Sequence, residues 1–146
     1  MKIIICDLDG TLSDCTHRVA YARQRDWEAF HARCEADVPY QDMVELVRVL
    51  SQAGGHIAIV TARPDWYICQ TVEWLIRYDV CYHSLHMRYA NDHRPSVEVK
   101  REVYENLKGY GQVWLAIEDR SSNVAMWRAL GVTCLQCQDG SLVDGS

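Results

Sequence analysis

The feature that most constrains this chain is an alternation of short apolar segments with amphipathic ones, in which three apolar segments run directly into polar residues. Lys2 to Cys6 leads into Asp7, Ile57 to Val60 into Thr61, and Val113 to Ile117 into Glu118 and Asp119. Weaker segments lie near Ser84 to Met87 and at Val132 to Leu135. Continuous apolar runs suit strands covered on both faces, as in a parallel sheet. The chain has 146 residues, enough for one domain with a single core. The expected class is α/β, a mostly parallel sheet with helices on both faces.

The intervening stretches carry helical periodicity. Met43, Leu46, Val47 and Leu50 recur at i, i+3, i+4, i+7, and Gly54-Gly55 stops that helix. Ile68, Val72, Leu75 and Ile76 form a second stripe. Val97, Lys100, Tyr104 and Leu107 form a third, opened by Pro95-Ser96. Val124, Trp127 and Leu130 form a fourth, closed by Gly131. These stripes are core faces first. Residues 14–39 break the alternation and are rich in His, Arg, Trp and acidic residues. This stretch reads as a small cap inserted after the first strand, with a short helix over Trp27 to Cys34, leaving 1–13 and 40–146 as the core.

Composition narrows the function. Apolar residues make up 49% and charged residues 24%, so disorder is not expected. No apolar run approaches the ~20 residues of a membrane span, and the start lacks a signal-peptide pattern. The expectation is a soluble, cytoplasmic protein, in the host cytoplasm if the chain is viral. Net charge is -5, which argues against a broad footprint on a nucleic-acid backbone. A local basic pocket for a nucleotide or a strand end stays open. The seven cysteines are expected as reduced thiols. Cys134 and Cys137 have CxxC spacing but lie along an expected strand with no second ligand pair, so buried strand cysteine outweighs zinc or redox chemistry.

Ligands in open parallel sheets bind beyond the carboxyl ends of the strands. Asp7, Asp9, Thr61, Glu118 and Asp119 all fall there. The densest signal is Asp7-Leu8-Asp9-Gly10-Thr11-Leu12. A carboxylate at position 7 can attack phosphorus and form an aspartyl phosphate. A second, two residues on, can protonate the leaving oxygen and later activate water. The plain alternative is an acidic turn. Thr61 could equally cap the turn that follows it. Lys100 is more telling, because a lysine on a core-directed helix stripe is costly unless paired.

The hexapeptide resembles the first motif of haloacid dehalogenase-type phosphatases. Thr61 within Val60-Thr61-Ala62-Arg63-Pro64 resembles the second motif, Lys100 the third, and Glu118-Asp119-Arg120 the fourth, in the expected order. A closer similarity is to the 3′-phosphatase domains of bacteriophage polynucleotide kinases. It is carried by Ala116 to Arg120, Val124, Met126-Trp127-Arg128, Gly131-Val132 with Cys134, by Asp92, Arg94 and Val99-Lys100, and by Val44-Glu45-Leu46. Glu118 departs from it, standing where those domains have a second Asp. The 14–39 stretch matches poorly, and the sequence has no GxxxxGK[ST] phosphate loop and so no kinase domain in this chain.

The resemblance implies a Rossmann-like core and a magnesium-dependent phosphomonoester hydrolase. Asp7 would be the nucleophile and Asp9 the acid and base, with Thr61 and Lys100 holding phosphoryl oxygens. Magnesium would be held by Asp7, the Asp9 carbonyl and Asp119, with Glu118 acting through water or orienting Lys100. Thr11, Arg63, Arg94 and Arg120 are substrate-contact candidates, since guanidinium matches phosphate geometry. His17, Arg18 and Trp27 in the cap could touch a base or sugar, and Asn123 could play a supporting role. The implied substrate is a 3′-phosphate on a nucleotide or polynucleotide end. Alternatives are a 5′-nucleotidase or other small-molecule phosphatase on the same core, a phospho-accepting receiver-like domain, and a non-catalytic binding subunit.

Overall fold

A computed structural model describes residues 1–140. In chain order the elements are β1 (Lys2–Cys6), β2 (Ser13–Asp14), α1 (Val19–Arg23), α2 (Trp27–Ala32), β3 (Val38–Pro39), α3 (Gln41–Gln52), β4 (His56–Pro64), α4 (Ile68–Arg77), β5 (Ser84–Arg88), α5 (Ser96–Leu107), β6 (Gln112–Glu118), α6 (Ser121–Ala129) and β7 (Thr133–Gln136). Five strands form one sheet in the order β5-β4-β1-β6-β7, and every neighbouring pair is parallel. β1 is central. Because side chains alternate across a strand, Ile4 and Cys6 pack with Val44 and Val47 of α3 and Trp74 and Leu75 of α4. Ile3 and Ile5 pack on the other face with Leu107 of α5 and Val124, Met126 and Trp127 of α6. Ile3, Ile4 and Ile5 are essentially sealed from solvent. Each contributes about 1.5–3 kcal/mol through burial, which anchors the end of β1 in the core.

The chain builds β4 and β5 on one side of β1, then crosses to β6 and β7 on the other. That reversal opens a crevice beyond the carboxyl end of β1. β4 is longer than its apolar run, continuing past Thr61 to Pro64. Its pairing with β5 slips between Thr61 and Pro64, and Arg88 sits opposite Pro64. Backbone pairing, not apolar period, carries that extension.

Between β1 and α3 the chain leaves the sheet. β2 and β3 pair antiparallel, Ser13 with Pro39 and Asp14 with Val38, and close off the insertion at its neck. Inside it α1 and α2 enclose a small core of their own, Cys15, Val19, Ala22 and Phe30, flanked by Tyr21 and Trp27. Asp26 caps α2 by accepting from the Ala29 N–H at 3.1 Å.

The seven cysteines are free thiols. Cys134 and Cys137 pack into opposite layers, as residues three apart along an extended chain do, so the CxxC spacing makes no paired site. Among the described residues no helix is long and apolar enough to cross a membrane.

Candidate active site

Asp7 follows β1 directly and its backbone N–H donates to the Ile117 carbonyl of β6 at 3.0 Å, so the sheet itself holds it. One carboxylate oxygen accepts from Lys100 Nζ at 2.7 Å and the other from the Thr11 hydroxyl at 3.2 Å. Lys100 reaches in from α5 and donates equally to Glu118 Oε2 at 2.7 Å. Glu118 Oε1 accepts from the Asp119 N–H at 3.2 Å, which fixes the turn beyond β6. Asp7, Glu118 and Asp119 are all buried, and each offers a carboxylate oxygen within 4.8 Å of the others. Gly10 makes this packing possible. Its φ is +83°, and a Cβ there would lie 2.1 Å from Asp119 Oδ2.

Three buried carboxylates share one ammonium, and their proton affinities show it. Burial would raise Asp7, but the Lys100 charge together with hydrogen bonds from Asp119, Lys100 and Glu118 outweighs it and holds Asp7 low. Burial and then the Asp7 charge push Glu118 up, and the same two causes push Asp119 up to about 10. Lys100 is raised despite its burial, first by Asp7 and then by Glu118. Crowding thus leaves Asp119 holding a proton that a cation could displace, and the hard oxygen donors of the three carboxyl groups fit a divalent cation.

Asp9 lies in a different environment. Its carboxylate is held by the guanidinium groups of Arg18, from the insertion, and Arg63, from β4. Burial opposes the charged form, but these two cations hold Asp9 far below the usual carboxylate range. Both arginines are buried, and both are held in turn. Arg18 donates through Nε to Asp37 Oδ1 at 2.8 Å, through a terminal nitrogen to Asp37 Oδ2 at 2.6 Å, and to the Phe30 carbonyl at 3.2 Å. Arg63 donates to the Thr71 hydroxyl of α4 at 2.9 Å, and Thr71 donates to the Tyr67 carbonyl. Asp37 is sealed and also meets His17 Nε2 at 2.7 Å.

The remaining sequence candidates separate clearly. Thr61 is buried and accepts from the Arg63 N–H at 3.1 Å, so it caps the turn and keeps its hydroxyl proton for another partner. Thr11 is sealed and bonds Asp7, which places it behind the nucleophile candidate and outside the cleft lining. The Asp9 carboxylate stands apart from the metal-capable group. Arg94 faces the cleft, but its guanidinium is taken by Asp92 at 2.7 Å and Glu102 at 2.8 Å. Arg120 lines the same cleft. Asn123 is buried and bonds the Ser96 hydroxyl at 3.1 Å, joining α6 to the start of α5. Arg18, expected to reach a base or sugar, instead holds Asp9. Asp37 carried no signal at all, because β2 and β3 are two residues each and show no periodicity.

A parallel 5-4-1-6-7 sheet with paired acids at the end of its central strand, a lysine from α5 and a second acidic pair after β6 defines a phosphatase of the haloacid dehalogenase type. The family model described as the polynucleotide kinase PNKP phosphatase domain matches residues 1–142, and the chain belongs to that family. A chain in the structure of the Pnkp1/Rnl/Hen1 RNA repair complex is 30% identical, with a TM-score of 0.84, over 96% of this chain and 43% of that one. A protein of Autographa californica nuclear polyhedrosis virus, named as a bifunctional polynucleotide kinase/RNA ligase, is 27% identical over 135 residues, 90% of this chain and 18% of its own length. The chain thus spans less than half of either relative. CbbY from Rhodobacter sphaeroides, solved in complex with phosphate, shares the fold at a TM-score of 0.65 and 15% identity over 99% of this chain and 88% of its own.

Proposed function

We propose that this chain hydrolyses phosphomonoesters through an aspartyl-phosphate intermediate, and that its substrate is a 3′-phosphate on a nucleotide or polynucleotide end. The observation that carries the reading is the division of labour between two carboxylates two residues apart. Asp7 sits with Lys100 at the metal-capable centre, and Asp9 is clamped between two guanidinium groups. A low-pKa carboxylate beside a cation suits nucleophilic attack on phosphorus. In the first step Asp7 attacks, the bond from phosphorus to the leaving oxygen breaks, and Asp9 protonates that oxygen. Arg18 and Arg63 keep Asp9 anionic in the free protein. It takes up its proton when the phosphoryl charge enters, because added negative charge raises a neighbouring carboxyl pKa. In the second step water attacks the phosphorus, Asp9 receives its proton, and Asp7 is released. Lys100 and the Thr61 hydroxyl stabilise the phosphoryl oxygens.

Magnesium is the proposed cofactor, held by Asp7 and Asp119 with the Asp9 carbonyl, and with Glu118 at its margin orienting Lys100. Bound there, it would neutralise charge developing on the transferred phosphoryl group. Residues 14–39 serve as the cap. The 3′ assignment follows family membership. The test is phosphate release from matched nucleoside 3′- and 5′-monophosphates, with and without chelator. Release from the 3′-ester that is abolished by chelator and restored by magnesium supports the scheme. Undiminished activity in demetallated protein would refute it, and a 5′ preference would make the chain a 5′-nucleotidase.

A further inference from the structure

The cleft encloses about 1050 Å³, far more than the carboxylate centre needs, and its outer part has two unlike walls. One wall is aromatic. The turn Asp65–Tyr67, just after β4, carries Trp66, which is 78% exposed although it borders a cleft. Beside it the Tyr67 ring lies 5.7 Å from His31 of α2, and His31 stacks on Trp27 at 6.3 Å and 29°. These rings cross from the core to the insertion. His31 leaves its buried Nδ1 without a hydrogen-bond partner in this wall. The Trp66 turn is anchored, because the Asp65 carboxylate accepts from the Ala90 N–H at 2.9 Å. The other wall is basic and adjoins it, since Arg88 pairs with Pro64 just before that turn. Arg88, half-buried, donates to the carbonyls of Ala62 at 2.9 Å, Asp92 at 3.0 Å and Arg94. Among the described residues it forms no ion pair, although the Asp92 charge acts on it at longer range, whereas Arg94 is paired directly.

A cleft with a reacting phosphoryl site at its floor and an exposed indole beside a guanidinium that forms no ion pair suits a ligand that is flat and anionic. An apolar ligand would leave Arg88 unmet, and a small sugar phosphate would leave Trp66 in water. We infer that the outer cleft is a nucleoside subsite, in which the base bearing the reacting phosphate stacks on Trp66 within the ring wall completed by Tyr67, His31 and Trp27. This deepens the proposed function and rests on it. Base–aromatic stacking is worth roughly 5- to 150-fold in affinity and tolerates any base. The subsite would therefore select nucleotides as a class without choosing among bases.

The test uses the full chain and Trp66→Ala and Trp66→Phe, since an exposed side chain can be changed with little effect on folding. KM and kcat are measured on thymidine 3′-phosphate and on abasic deoxyribose 3-phosphate. The expected result is about a tenfold or greater rise in KM for the nucleotide in Trp66→Ala, with kcat within twofold, recovery in Trp66→Phe, and no change on the abasic ester. Equal changes on both esters, or none on the nucleotide, would overturn the subsite while leaving the phosphatase reading intact. Calorimetric binding of thymidine 3′-phosphate to the same proteins decides the matter independently of turnover. Weaker binding to Trp66→Ala supports the subsite, and unchanged affinity overturns it.

Discussion

At the scale of single residues, the two carboxylates after β1 make separable predictions. Asp7→Asn is expected to abolish turnover, because a neutral amide cannot attack phosphorus. It should leave the fold intact, since Lys100 keeps Glu118 and the crowding of buried carboxylates is relieved. Thermal unfolding alongside phosphate release checks both halves, and retained turnover would refute the nucleophile assignment. Asp37 offers a subtler test. It is sealed and holds Arg18, which holds Asp9. Asp37→Asn removes one charge from a buried network and should cost about 3–5 kcal/mol of stability, the range for breaking a buried pair. It should also loosen Asp9 as proton donor. A nucleotide's poor leaving group needs that proton and a nitrophenolate does not, so kcat should fall roughly 10²-fold or more on a nucleoside 3′-phosphate. The fall on 4-nitrophenyl phosphate should be much smaller. Equal losses on both substrates would reduce Asp37 to a structural role. Asp7, Lys100 and Asp119 were legible in the sequence, because strand ends and a helix stripe place them. The Arg18–Asp37 pair was not, because it is brought together by a two-residue hairpin neck that leaves no pattern.

At the scale of elements, legibility followed apolar period. β1, β4 and β6 announced themselves as continuous apolar runs buried on both faces, and α3, α5 and α6 as stripes. The stripe expected on α4 was misplaced, since Ile68 and Ile76 are exposed and Thr71, Trp74 and Leu75 face the core. The tail of β4 from Ala62 to Pro64 did not announce itself, since it is held by backbone pairing around a register slip. Nor did the packing of α2, a six-residue helix whose His31 meets Tyr67 of the core. Burial pushes His31 down to about 4 from the ordinary value near 6.5. The folded protein therefore binds fewer protons there than the unfolded chain between those values, and stability contributed by this site rises with pH across that window. As pH falls through 6.5 the contribution is progressively lost, and below about 4 the loss is complete. His31→Phe keeps a ring against Tyr67 and Trp27 and removes the titration. Chemical denaturation of both proteins between pH 4 and 7 should show a shallower pH slope in His31→Phe, and an unchanged slope would show that His31 is not buried neutral.

At the scale of the whole molecule, charge bears on how much of the proposed substrate the protein would grip. The net charge is -5, and the described cations of the cleft are mostly committed. Arg18 and Arg63 hold Asp9, and Arg94 holds Asp92 and Glu102. Arg88 has carbonyl partners, and Arg25 and Arg120 line the same cleft. A long nucleic-acid footprint would release many counterions and show a steep salt dependence, about 0.9 per phosphate for a duplex and 0.7 for a single strand. Here only about one or two backbone phosphates beyond the reacting one should count. The expected result is a kcat/KM for 3′-phosphorylated oligonucleotides that levels off at the dinucleotide, with a log–log salt slope near one. Across matched thymidine esters the 3′-phosphate should be preferred to the 5′-phosphate, as family membership leads one to expect. The reaction centre alone cannot produce that preference, because Asp7, Lys100 and Thr61 meet only the phosphoryl group. On the proposed subsite it would come from how the sugar and base leave the cleft past the Trp66 turn. Kinetics on 3′- and 5′-thymidylate, a dinucleotide and a longer oligonucleotide at two salt concentrations test this directly. A rate that keeps climbing with length, with a slope well above one, would mean that a basic track outside this cleft binds the strand. A clear 5′ preference would instead assign the chain to 5′-nucleotide chemistry on the same core.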